Sequence, residues 1–311
     1  MVFATILENH MNRNFLFCLL FVLPLPAMAL LNVTVIQGLD GEAEYGKQFS
    51  AQVKTVFSAV ESVTDKNNIV VFSGNDVSRD KLLAHFDQLG KTLKPVDQLL
   101  VIMVGHGSYD GFEYKFNIPG PDLTGADLVN MLKVQTTKLQ VIINTSSSSG
   151  ALLDLLKGDG RTVITATRNG EERLATRFGT YFTNALEDSA ADINKNNAVS
   201  LQEAFTYAER MSKDYFENQG QLATEHPVMS GDKATQFVLA RTVTGATDTS
   251  DPELAQLLIK REQLDISIEQ LQLRKDELPA DDYLNQLQQL MIDMSLVQDS
   301  IDQKGQPAGE K

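Results

Sequence analysis

Gln98–Gly107, QLLVIMVGHG, and Leu139–Gly150, LQVIINTSSSSG, are the two stretches whose reading decides the fold. Each opens on a continuous apolar run with β-branched residues, the pattern of a strand covered on both faces. Each closes on small, turn-forming residues. The first ends in a glycine-flanked histidine, His106, and the second in the serine run Ser146–Ser149. In open α/β sheets, ligands sit beyond the carboxyl ends of the strands. The two turns are therefore where a site is expected.

Working outward, Asn32–Gln37 reads as a first strand, and residues 42–63 carry a helical apolar period through Phe49, Val53, Val56, Phe57 and Val60. Asn68–Phe72 is a second strand, and Ser78 is an N-cap for a helix over Lys81–Lys94. With the central strand Gln98–Val104 the order is β-α-β-α-β, which implies a doubly wound, mainly parallel sheet flanked by helices. Phe112–Ile118 alternates as a small hairpin would, and Thr124 caps a helix running through Leu132. Leu139–Asn144 and Thr162–Thr167 are further strands, and helices follow at Gly150–Leu156, 176–190 and 200–217.

Composition changes at both ends. Phe15–Leu25 is an apolar run behind the weakly basic Met11–Asn14, and Ala27-Met28-Ala29 is a small-residue cleavage signature. Residues 1–29 thus read as an export signal, with Met11 the expected start, and imply a periplasmic protein with no membrane span once the signal is cleaved. Cys18, the only cysteine, lies inside that signal, so the mature chain is expected to carry neither disulfide nor cysteine nucleophile. After a domain over 30–241, residues 242–252 form a polar linker. Residues 253–303 then read as an antiparallel helical hairpin with heptad seams. Its first arm carries Leu257, Leu264, Ile268, Leu271 and Leu278, and its second Tyr283, Leu287, Leu290, Met294, Val297 and Ile301. Such a hairpin could bind a protein partner or close on itself, and residues 304–311 are expected as a disordered tail. The net charge of −14 argues against nucleic acid, which needs clustered Lys and Arg.

At Gly105-His106-Gly107 and Thr145–Gly150 the chain resembles the caspase/legumain-like cysteine peptidases, closest to the legumain type, over roughly Asn32–Leu239. The resemblance implies a catalytic histidine at His106 and a nucleophile at Ser147, where the family carries cysteine. Gly107 and Ser148 amides would be the oxyanion donors, and a peptide or protein would be the ligand. Glu225-His226-Pro227 resembles a late segment near the substrate groove in some relatives. The departure at Ser147 matters, because a serine needs a base in hydrogen-bond contact, whereas a thiolate can be preformed. Two outcomes stay open: an inactive homologue that still recognises peptide, or one converted to a serine hydrolase. A non-enzymatic scaffold using the hairpin is the alternative from another class.

One further motif stands apart. Asp192–Glu203, DINKNNAVSLQE, sets Asp192, Asn194, Asn196, Ser200 and Glu203 at positions 1, 3, 5, 9 and 12 of an EF-hand loop, with the Ala198 carbonyl at 7. Asn197 stands where such loops carry glycine. Calcium binding is one reading, and no cofactor is otherwise required. The other reading is a metal-free turn in which Ser200 caps a helix and Glu203 completes a capping box.

Overall fold

The computed structural model describes residues 29–241, 251–273, 275 and 278–305. The expected export signal, apart from Ala29, and most of the expected linker and tail lie outside the described residues. The element order begins β1 (Leu31–Gln37), α1 (Ala43–Val60), β2 (Ile69–Phe72), α2 (Arg79–Thr92) and β3 (Gln98–Val104). A small antiparallel sheet follows, β4 (Gly107–Tyr109), β5 (Tyr114–Phe116) and β6 (Leu123–Thr124), then α3 (Gly125–Lys133) and β7 (Leu139–Asn144). Next come α4 (Leu153–Leu156), β8 (Arg161–Thr165), α5 (Phe178–Ala185), β9 (Ala198–Ser200), α6 (Leu201–Asn218), β10 (Val228–Ser230) and β11 (Val238–Arg241). The hairpin is α7 (Pro252–Leu273) and α8 (Ala280–Gly305).

The main sheet has six strands in the order β10-β8-β7-β3-β1-β2, parallel except for β10. Successive side chains of β3 explain why its sequence is apolar without interruption. Leu100, Ile102 and Val104 enter one core with α1, α5 and α6, while Leu99, Val101 and Met103 enter the other with α2 and α3. Neighbours of β3 divide the same way: Val141 and Ile143 of β7 lie on the first face, Ile142 on the second. At about 1.5–3 kcal/mol for each fully buried large apolar side chain, these two layers are the main source of stability.

Strand order reverses between β1 and β3, the switch point at which open α/β sheets form a crevice. Gly105 and Gly107 let the strand ends close on each other there. A Cβ at Gly105 would lie 3.0 Å from the Gly38 Cα, and one at Gly107 would lie 2.5 Å from Ser146 Oγ and 2.6 Å from the Ser147 carbonyl oxygen. The glycines that flank His106 are packing requirements first.

Several elements differ from expectation. The strand expected over Thr162–Thr167 ends at Thr165, and the helix expected over 176–190 is confined to Phe178–Ala185. Residues 166–177 instead run irregularly across the carboxyl end of the sheet, held by hydrogen bonds to the serine turn. The helix expected from Gly150 starts as a 3-10 turn, Ser149–Leu152. The Phe112–Ile118 hairpin is replaced by three strands with Phe112 in the turn, almost fully exposed. The short antiparallel edge strand β10 has no alternating signal long enough to announce it.

The helical hairpin forms, and α7 and α8 pack chiefly on each other. Leu271 and Val297 are buried at its seam, while Leu284, Met291, Ile292 and Leu296 face out. α8 runs through Gly305, beyond the expected end at 303. Lys304, expected in the tail, pairs with Glu253 at 2.5 Å and Asp251 at 3.4 Å. Among the described residues no helix is long and apolar enough to cross a membrane.

Candidate active site

Register brings the two turns together. Met103 pairs with Asn144 across β3 and β7, and His106 and Ser147 each lie three residues past that pair. Their side chains nevertheless look to different partners. His106 Nε2 lies 3.2 Å from the Asp40 carbonyl oxygen, in the loop after β1. Its ring meets Tyr45 and Phe49 of α1 edge-on at centroid distances of 4.7 and 5.0 Å. Ser147 Oγ donates to the Leu174 carbonyl at 2.9 Å. No hydrogen bond joins His106 to Ser147.

A buried network builds the serine turn. Asn144 Nδ2 donates to the Tyr114 hydroxyl at 2.8 Å, and that hydroxyl shares a 2.6 Å bond with Ser146 Oγ. Asn144 Oδ1 accepts from the Ser146 amide at 3.0 Å, which turns the chain sharply at the strand end. Burial pushes the Tyr114 phenol up to about 12, so it stays a neutral donor and acceptor. Ser148 adopts φ 57°, the left-handed region, and its buried hydroxyl has no partner. Ser149 Oγ and the Gly150 amide both engage Thr167 Oγ1, at 3.3 and 2.8 Å.

Of the two expected oxyanion donors, Gly107 lies at the close approach of the turns, and the Ser148 amide donates to the Glu172 carbonyl at 2.9 Å and is not free. The reason is the 166–177 segment, whose path over the turn the sequence did not announce.

That segment also exposes residues missed at the sequence level. Glu172 accepts from the Arg168 amide at 2.9 Å, the His226 amide at 3.0 Å and His226 Nδ1 at 2.6 Å. Glu225, 3% exposed, accepts from the Arg177 and Phe178 amides at 2.7 and 3.1 Å, at the start of α5. Burial pushes its carboxyl up to about 7. The Glu225-His226-Pro227 resemblance pointed to this neighbourhood, but Glu172 carried no signal of its own.

The Asp192–Glu203 loop forms the capping box. Ser200 Oγ accepts from the Glu203 amide at 3.2 Å, and Glu203 Oε2 accepts from the Ser200 amide at 2.9 Å and its hydroxyl at 2.7 Å. Glu203 Oε1 also accepts from the Ile193 and Asn194 amides, and Asp192 accepts from the Asn196 and Asn197 amides. Asn196 Oδ1 accepts from the Ala198 amide at 3.0 Å, and Asn197 takes φ 62° in the place of the usual glycine. No cluster of three or more His, Cys, Asp or Glu suited to a metal occurs among the described residues. Any ion here would rest on two carboxylates with Asn, Ser and backbone oxygens.

A mainly parallel sheet between two helical layers, with a histidine turn and a small-residue turn on adjacent strand ends, defines the caspase-like α/β peptidase fold. The family model described as the Peptidase C13 family matches residues 36–236, and the chain belongs to that family. No curated protein matches it.

Proposed function

We propose that this chain is an exported C13 homologue that binds peptide at the His106 and Ser147 turns without hydrolysing it. The observation that carries this reading is the orientation of His106, whose Nε2 is turned to the Asp40 carbonyl, so that it makes no hydrogen bond with Ser147. A serine nucleophile needs its proton directed at a base, and here the proton goes to a backbone oxygen while His106 faces Asp40. Recognition is supported by the place of His106 beyond β3, beside the β1/β3 switch point where open α/β sheets bind ligands, and by the exposed Ser108 next to it. Export rests on the Met11–Ala29 pattern.

A fluorophosphonate probe tests the reading on the purified chain beside Ser147→Ala and His106→Ala. The expected result is no labelling of any of the three, with binding of a casein-derived peptide pool weakened in His106→Ala. Labelling of the parent that disappears in both variants would instead establish an activated serine and a hydrolase.

A further inference from the structure

Residues 166–177 connect β8 to α5 with no regular secondary structure and lie across the serine turn. The Leu174 carbonyl takes the Ser147 hydroxyl proton, the Glu172 carbonyl takes the Ser148 amide, and Thr176 Oγ1 donates to the Thr145 carbonyl at 2.5 Å. Carbonyls two residues apart are what an extended peptide presents on one side. They are the groups a peptide docking by its backbone would offer. The segment therefore stands where such a peptide would stand.

Besides its bonds to the serine turn and the anchorage of Thr167 on Ser149 and Gly150, the segment is fastened by one polar dipeptide. His226 holds Glu172 by its amide and by Nδ1, while the Glu225 carboxylate holds the Arg177 and Phe178 amides at the far end. Between these points the outer side of the segment is open to solvent: Leu174 is 63% exposed and Glu171 and Arg173 are exposed beside it, while Gly170 is buried against Tyr109. Beneath it, the Ser148 hydroxyl is sealed from water without a partner in a left-handed turn. An orphaned polar group and a strained residue are the kind of local cost that opening would relieve.

We propose that Arg168–Thr176 is an autoinhibitory strap: its Glu172 and Leu174 carbonyls occupy the donors that a bound peptide would use, and the Glu172–His226 pair is the latch that must release for the site to fill. The proposal rests on the peptide-binding reading above. It names what regulates that site, a segment of the chain that competes with ligand.

The test gives the full chain one thiol, at the turn, through Cys18→Ser with Ser147→Cys, and measures its rate of reaction with fluorescein maleimide. Covered by the strap, the thiol should react far more slowly than in denaturant. Glu172→Gln and His226→Gln, each added separately, should accelerate it about tenfold or more, since each weakens a charge-assisted contact holding the closed state. Rates unchanged by both latch variants, or a parent thiol that already reacts as in denaturant, would overturn the strap. Should either latch variant lose its folded circular dichroism, hydrogen exchange of the unaltered chain decides. The Ser148 amide should exchange through a local opening, faster than the Ile102 and Ile143 amides of the central strands. Equal protection of all three would also overturn the proposal. Failure of peptide binding looks different: acceleration in the latch variants with no protection of the thiol by casein-derived peptides.

Discussion

Two polar turns in this molecule, Ser146–Gly150 and Asp192–Glu203, are made of similar residues and closed in opposite ways. Both use non-glycine residues in the left-handed region, Ser148 in one and Lys195 and Asn197 in the other. In the second, the side-chain bonds run between residues of the loop itself: Asp192 accepts from the Asn197 amide and Glu203 from the Ile193 amide, while distant chain enters as backbone pairing of Ala198–Ser200 with β11. In the first, the partners come from far along the chain: Tyr114, Thr167, Glu172 and Leu174. A turn whose side chains bond its own amides keeps its shape so long as its one strand stays paired. One closed by distant segments can be reshaped when they move, which suits a site that must admit a ligand.

The strap's far anchor gives the largest expected effect. Burial disfavours the charge of Glu225 and pushes its carboxyl up to about 7 in the folded protein, from an ordinary 4.5. The folded state then holds the proton more tightly than the unfolded state between those values. Stability should fall as pH rises through that window, by up to about 3 kcal/mol, and level off above it. Glu225→Gln should flatten this slope in urea unfolding measured from pH 4 to 8. A slope that persists would assign the dependence to another group. A variant that loses more stability at higher pH would mean that the two α5 amides, which favour the anion, outweigh burial.

A smaller effect separates the turn from the histidine beside it. Tyr114→Phe removes a buried hydroxyl with partners at 2.6 and 2.8 Å and leaves Ser146 Oγ and Asn144 Nδ2 short of a bond. It should cost about 2 kcal/mol. His106→Ala loses edge contacts with Tyr45 and Phe49 at a partly buried site and should cost about 1 kcal/mol or less. Thermal unfolding of the two variants checks the ranking. If His106→Ala proved the more damaging, His106 would be a structural residue of α1 packing, and its part in recognition would be lost.

The same contrast explains what was legible in the sequence. β3 and β7 could be read to the residue because a strand buried on both faces writes an unbroken apolar run, and Gln98–Val104 and Leu139–Asn144 are their observed limits. The Thr124 and Ser200 caps were legible because capping is decided within four residues. The strap was not. Arg168–Thr176 is a polar stretch like any loop, and its meaning lies in contacts with residues more than twenty positions away, such as Leu174 with Ser147. That contact also decides the chemistry of the serine, so the location of the site could be read from the strand ends but the state of its donors could not. His106 and Ser147 were placed on neighbouring turns by strand order, whereas the direction of each side chain depends on Asp40 and Leu174.

Calcium tests the self-contained turn and should produce the smallest effect. The capping box is formed without an ion, so metal would add to a loop already shaped rather than fold it. The donor set has the EF-hand offsets, and Asn197 adopts the backbone that the usual glycine provides. Only Asp192 and Glu203 bring charge, which places the expected affinity near about 1 mM, the range of weak extracellular modules. Calcium at about ten times that concentration would then add about 1.4 kcal/mol, a rise in Tm of roughly 3 °C for a domain of this size. Asp192→Asn should abolish the rise, and magnesium at equal ionic strength should not reproduce it, because the smaller ion demands a tighter octahedral shell. An equal rise with either ion, or in the variant, would reduce the loop to its capping role. The contrast between the two turns would then be complete: one closed by its own amides and needing no ligand, the other held shut by a segment that a ligand must displace.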